Sequence, residues 1–126
     1  WFNKRISRMI KYHKSSSGKI IAELTDNKVK IAEVGDILDL IAEIGQHDCN
    51  AMIVNESSLN KDFFDLKTRF AGEILQKFSN YRVQLAITGN FSKYPGKSLR
   101  DFIRECNRGN QIFFVASFPE ALDRLG

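Results

Sequence analysis

"AMIVNESSLNKDFFDLKTRFAGEILQKFSNYRVQLAITG", residues 51–89, sets two short apolar runs on either side of a long amphipathic stretch. The runs at 51–55 and 83–89 are apolar without alternation, as expected of strands buried on both faces of a parallel sheet. Between them Phe63, Phe64, Leu66, Phe70, Ala71, Ile74, Leu75 and Phe78 recur at helical spacing, while Lys61, Lys67, Arg69 and Lys77 fall on other faces. This spacing predicts a helix over 61–79, capped by Asn60 or Asp62 and lying against the sheet. Strand, helix and strand then form one right-handed crossover unit.

The same grammar extends in both directions. A third apolar run, "QIFFVA" at 111–116, follows a helical pattern at 97–107 that Gly109 stops. A last helix is expected at 118–125, with Pro119 suited to its first turn. Towards the N-terminus, "IKYHKSSSGKIIAELT" reads as a hairpin around a Ser-Ser-Gly turn, and "VKIAEVGD" as a short extended segment. Ile37, Leu40, Ile41 and Ile44 then mark a helix ended by Gly45. The expected fold is α/β: a single-layer, mainly parallel sheet of about five strands with an N-terminal hairpin and helices packed on it.

At 126 residues the chain has the usual size of one domain. Residues 1–8 read as an upstream or vector-derived extension, and residues 9–126 as the domain. The net charge of +4 is unevenly spread: residues 1–19 hold six Lys or Arg and no acid, leaving 13 basic and 15 acidic side chains beyond them. The folded part lacks the basic footprint of a phosphate-tracking surface, which argues against nucleic-acid binding by this domain alone. No apolar stretch approaches the roughly 20 residues that span a bilayer. Cys49 and Cys106, without a secretion signal, read as reduced thiols of a cytoplasmic protein.

Several stretches bear candidate chemistry. Asn55, Ser58, Asp62, Asp65 and Thr68 lie at the predicted entry to the 61–79 helix, where free amides and the helix dipole favour an anion or a phosphorylated hydroxyl. "GNFSKYPGKSLR" ends like a Walker A loop, but position 91, where that loop needs its first glycine, is Phe91. What remains there is Gly89, Lys93, Lys97, Ser98 and Arg100 as a possible anion cradle, with Ser98 and Asp101 spaced like a capping box. Adjacent His47, Asp48 and Cys49 lack any metal-ligand or nucleophile–base spacing. The carboxylates Glu23, Glu33, Glu43 and Glu56 are scattered over different elements. Phe78, Tyr81 and Phe91 are candidates to line a cavity mouth, with core packing as the alternative. No catalytic residue, metal site or cofactor is expected.

The stretches "FFDLKTRFAGEILQKFSNYRVQLAITGNFSKY" and "KSLRDFIRECNRGNQIFFV" resemble the small bacterial proteins of domain-of-unknown-function family 4180, the likeness running from about residue 19 to 125. A fainter resemblance is to the STAS fold of anti-sigma-factor antagonists and SpoIIAA-like proteins, carried by "IVNESSLNKDFFDLKTRF". Laid on that pattern, Asp65 matches the family's aspartate, but Leu66 stands at the phosphorylated serine. Thr68 is two residues on, roughly 200° around a helix. The resemblance therefore implies a fold without the usual switch. The expected function is a non-enzymatic regulatory or protein-interaction module, docking a protein partner beside the helix near Asn60 and the loop at 89–97. The alternative is a sensor or carrier of a small ligand or anion, and an enzyme using His47, Cys49 or the loop hydroxyls comes last. A homodimer through an open sheet edge is compatible with either of the first two.

Overall fold

A computed structural model describes residues 9–25, 31–59, 61–65, 69–94 and 96–126, apart from the side chain of Asp62. The extension at 1–8 and the expected hydroxyl site at Thr68 lie outside these residues. Five strands, β1 (Ile10–Lys14), β2 (Ile20–Leu24), β3 (Ala51–Asn55), β4 (Gln84–Thr88) and β5 (Ile112–Val115), form one sheet in sequential order. β1 pairs antiparallel with β2 through the hairpin, and the β2–β3, β3–β4 and β4–β5 pairs are parallel. The sheet is thus mixed rather than mainly parallel, because a five-residue turn can only return the chain antiparallel. Gly18 makes that turn at φ 89°.

Four helices follow: α1 (Val34–Gly45), α2 (Phe70–Asn80), α3 (Lys97–Arg108) and α4 (Phe118–Leu125). Each parallel crossover advances one strand in the same direction, so right-handed connections must leave α1, α2 and α3 on one face. The core divides accordingly. Met52, Val54, Leu85, Ile87, Ile112 and Phe114 pack with buried residues of α1, α2 and α3, whereas Ile21, Ala51, Ile53, Ala86, Phe113 and Val115 pack with Ala121 and Leu125 of α4. The helices packed on the sheet therefore cover both of its faces, with α4 opposite the three crossover helices.

The predicted helix at 61–79 divides. Lys61–Phe64 is a 3-10 turn, α2 starts only at Phe70, and Arg69 at its N-cap takes a left-handed φ of 64° without a side-chain cap bond. The expected cap at Asn60 or the Asp62 side chain lies outside the described residues, and the N-cap of α2 is Arg69. Phe63 and Phe64 are buried all the same, Phe63 meeting Phe70 and Phe114 edge-on or tilted. Two elements turned to one core reproduce the apolar stripe of a single helix, which is why spacing alone joined them.

Among the described residues no helix is long and apolar enough to cross a membrane. At the outer edge of β5 the Asn107 carboxamide accepts from the Phe114 amide at 2.7 Å and donates to the Phe114 carbonyl at 3.1 Å. One α3 side chain thus occupies the place of a sixth strand, a way of blunting an edge. Replacing it by alanine (Asn107→Ala) is expected to raise the concentration-dependent dimer or aggregate fraction in sedimentation velocity; a strictly monomeric variant would show that the edge is protected otherwise.

Candidate functional site

The carboxyl ends of β3 and β4 are built alike. Asn55 and Asn90 each begin an Asn-X-Ser turn: Asn55 Oδ1 accepts from the Ser57 amide (3.0 Å) and hydroxyl (2.7 Å), and Asn90 Oδ1 from the Ser92 amide (3.2 Å) and hydroxyl (2.6 Å). Short polar side chains at such positions imitate a backbone turn and cap the 3-10 helices Glu56–Ser58 and Phe91–Lys93. The two turns are stapled together. Glu56, only 9% exposed, accepts from Lys93 Nζ at 2.8 Å and from the Asn90 amide at 3.3 Å. Gly89, at φ 156°, makes room for it: a Cβ there would stand 2.6 Å from Glu56 Cγ and Cδ.

Burial alone would raise the Glu56 carboxyl, but Lys93, the Tyr94 hydroxyl and the Asn90 amide outweigh it and hold the group below its ordinary value of 4.5. Tyr94 is pushed up to about 12 by burial and by Glu56. The folded state therefore gives up the Glu56 proton more readily than the unfolded state. Its contribution is complete above the unfolded carboxyl value and is lost as pH falls through the folded one. We expect Glu56→Gln to flatten the acid limb of the stability profile below about pH 4.5 in urea titrations. An unchanged acid limb would assign that limb to other carboxylates.

Two hollows open at this end of the sheet. One, about 290 Å³, lies on the α4 face, between the side chains of Glu23, Ile53, Asn55 and Thr88 and the start of α4 at Ser117 and Phe118. The other, about 450 Å³, lies between the ends of β4 and β5 and includes Gly89, Asn90, Phe91, Ala116 and Glu120. Asn55 and Thr88 are direct partners across the β3–β4 pair, and Asn55 Nδ2 donates to Thr88 Oγ1 at 3.1 Å. Ser117 caps α4 by accepting from the Glu120 amide at 3.4 Å, and Glu120 accepts from the Ala116 amide at 3.4 Å. On the β2 side Glu23 is bonded to His13 at 2.9 Å.

Of the residues expected from sequence, Asn55, Gly89 and Lys93 gather here, Lys93 through Glu56. Ser58 is adjacent but fully buried, its hydroxyl without a hydrogen-bond partner among the described residues, so no modifying enzyme can reach it in this state. Asp65 is exposed beyond the 3-10 turn and lines neither hollow. Lys97, Ser98 and Arg100 are exposed on the first turn of α3, and Lys97 pairs with Asp101 at 2.8 Å. Gly96, not Ser98, is the N-cap of α3, so the expected capping box is absent. Sequence reading missed Glu56, Thr88, Asn90 and Ser117. The repeated Asn-X-Ser after two apolar strands was the available signal.

The other candidates separate. His47 packs at a tilt against Tyr12 with ring centroids 4.4 Å apart, while Cys49 is buried and donates to the Ala51 carbonyl at 3.1 Å. Burial pushes the Cys49 thiol up against smaller opposing contributions, and burial followed by Glu105 pushes Cys106 up to about 11. Thiolates are the reactive form, so both cysteines are expected to resist iodoacetamide at pH 7.5 in the folded protein and to label readily in urea. Phe78 is core, Tyr81 is exposed, and only Phe91 borders a hollow at this end. No group of three or more His, Cys, Asp or Glu is placed to hold a metal ion among the described residues.

A protein family described as a domain of unknown function (DUF4180) matches residues 16–125. No curated protein and no solved structure matches the chain.

Proposed function

Because this chain belongs to the DUF4180 family, whose description assigns no activity, we propose a function from the site itself: a non-enzymatic module that binds a small polar ligand at the carboxyl edge of its sheet. One observation carries the reading. The connection leaving β4 leads to α3 on one face and that leaving β5 leads to α4 on the other, so the chain parts between two adjacent parallel strands. Open α/β sheets bind ligands in the crevice that such a parting leaves. Both hollows at this end share Ala116, and they take Thr88 and Gly89 respectively.

An apolar ligand between the sheet and α2 gains no support, since Phe63, Ile74 and Phe78 are fully buried there and line neither of these hollows. Nor do Lys or Arg side chains line either hollow, which disfavours a strongly anionic ligand. Protein docking near Asn60 gains little as well: among the described residues the exposed large hydrophobic is Tyr81, at the opposite end of α2. A non-catalytic role fits the dispersed His47 and Cys49 and the ion-paired Glu56. The element order supports a STAS-like architecture, and the two free thiols favour a bacterial cytoplasmic setting.

Native mass spectrometry of the protein from its own host tests this. The expected result is an added mass below about 300 Da that denaturation releases and that Thr88→Val weakens. An apo mass at the lowest activation energy would overturn the proposal.

A further inference from the structure

Resting on that reading of the 290 Å³ crevice, we infer the chemical class of its ligand: a small amide- or amino-acid-like molecule whose carbonyl oxygen faces Asn55, Thr88 and Ser117 and whose N–H faces Glu23. The assignment comes from counting the protons and lone pairs that the protein leaves over.

Asn55 Oδ1 is the oxygen of its carboxamide, because the atom accepts from the Ser57 backbone amide, an obligate donor. With the Ser57 hydroxyl it is used twice. The Nδ2 group gives one hydrogen to Thr88 Oγ1 and keeps the other. Thr88, having accepted, keeps its hydroxyl proton, and Ser117, having accepted from Glu120, keeps its own. Three neighbouring groups on the β3–β5 side are therefore left as donors.

The β2 side is the reverse. Glu23 is a carboxylate with one oxygen on His13, and Thr25 has already given its proton to the Met9 carbonyl at 2.8 Å. Glu23 stands opposite Ile53 in the β2–β3 register, so Asn55 is its diagonal neighbour on the same face, about 7 Å away. Donors at one wall and acceptors at the other, that far apart, match a carbonyl and an N–H on one small molecule. A carboxylate alone would leave the second Glu23 oxygen unmatched and be repelled by it, and an amine alone would leave the three donors unused.

The test is a series of ¹⁵N–¹H spectra of the whole chain titrated with propionamide, with propionate and with propylammonium, following the Asn55 side-chain NH₂ and the Thr88 and Ser117 amides. Propionamide is expected to move these signals at the lowest concentration. Asn55→Asp keeps the oxygen that the Ser57 turn needs, but its second oxygen takes the Thr88 proton, so two donors vanish at once. Its propionamide affinity should fall about tenfold or more, the effect of one to two lost hydrogen bonds, with thermal stability near that of the parent. Tighter binding of propionate or propylammonium, or an unchanged affinity in Asn55→Asp, overturns the inference and leaves the crevice as a binding site. Shifts that avoid these signals with all three probes overturn the reading of the crevice as well.

Discussion

Gly89→Ala should be among the most damaging single substitutions in this protein, costing about 3 kcal/mol of stability. Two independent effects converge on that position. The backbone at φ 156° is one that a side chain rarely adopts, and the new methyl would sit 2.6 Å from the Glu56 side chain. Glu56 cannot simply swing away, because Lys93 and the Asn90 amide hold its carboxylate. A double-mutant cycle separates the effects: in a Glu56→Ala background the contact is relieved and only backbone strain remains, so the cost of Gly89→Ala should fall to about half. Equal costs in both backgrounds, measured by urea unfolding, would mean that the loop at Gly89 rearranges freely.

Phe63→Ala should cost a similar or larger amount, about 3–5 kcal/mol. Phe63 is fully buried and contacts the rings of Phe64, Phe70 and Phe114, at centroid distances of 5.1, 6.5 and 6.3 Å. It is the point at which the 3-10 turn, α2 and β5 are joined under the sheet. Phe63→Leu keeps most of the volume and should cost less than half as much. If Phe63→Ala lost under 1 kcal/mol, the 3-10 turn would be a loose appendage rather than part of the core.

What could be read from the sequence follows from how local each decision is. α1 and α4 were legible because one apolar face, ended by Gly45 or opened by Pro119, fixes a helix without reference to anything distant. Strands β3, β4 and β5 were legible for a similar reason: a run buried on both faces cannot be anything long or polar. The split between Lys61–Phe64 and α2 was not, since both pieces face the same core and keep the same spacing. The side of the sheet taken by α4 was also out of reach. It depends on which sheet face Ala121 and Leu125 cover, and strands apolar on both faces do not distinguish the two.

The site was half legible. Asn55, Gly89 and Lys93 were named as separate features of two loops, and Glu56 was passed over as one of several scattered carboxylates. Only the parallel pairing of β3 with β4 sets residue 55 beside residue 88 and lets Glu56 reach across Gly89 to Lys93. Ser98 illustrates the opposite error. Its spacing to Asp101 was right for a capping box, but the N-cap of α3 is Gly96, two residues earlier, and Asp101 turns to Lys97 instead.

The lone position of α4 has a consequence for how the chain matures. α1, α2 and α3 share one face, but among the described residues α4 is the one helix that covers the other. During synthesis the β strands and their crossovers can assemble in order, each strand beside the one just made. Until residues 118–125 leave the ribosome, Ile21, Ile53, Phe113 and Val115 stay bare to water and to other nascent chains. The helix Phe118–Leu125 thus closes the second apolar face of the sheet, and a chain cut just before Phe118 is expected to expose that face and to aggregate.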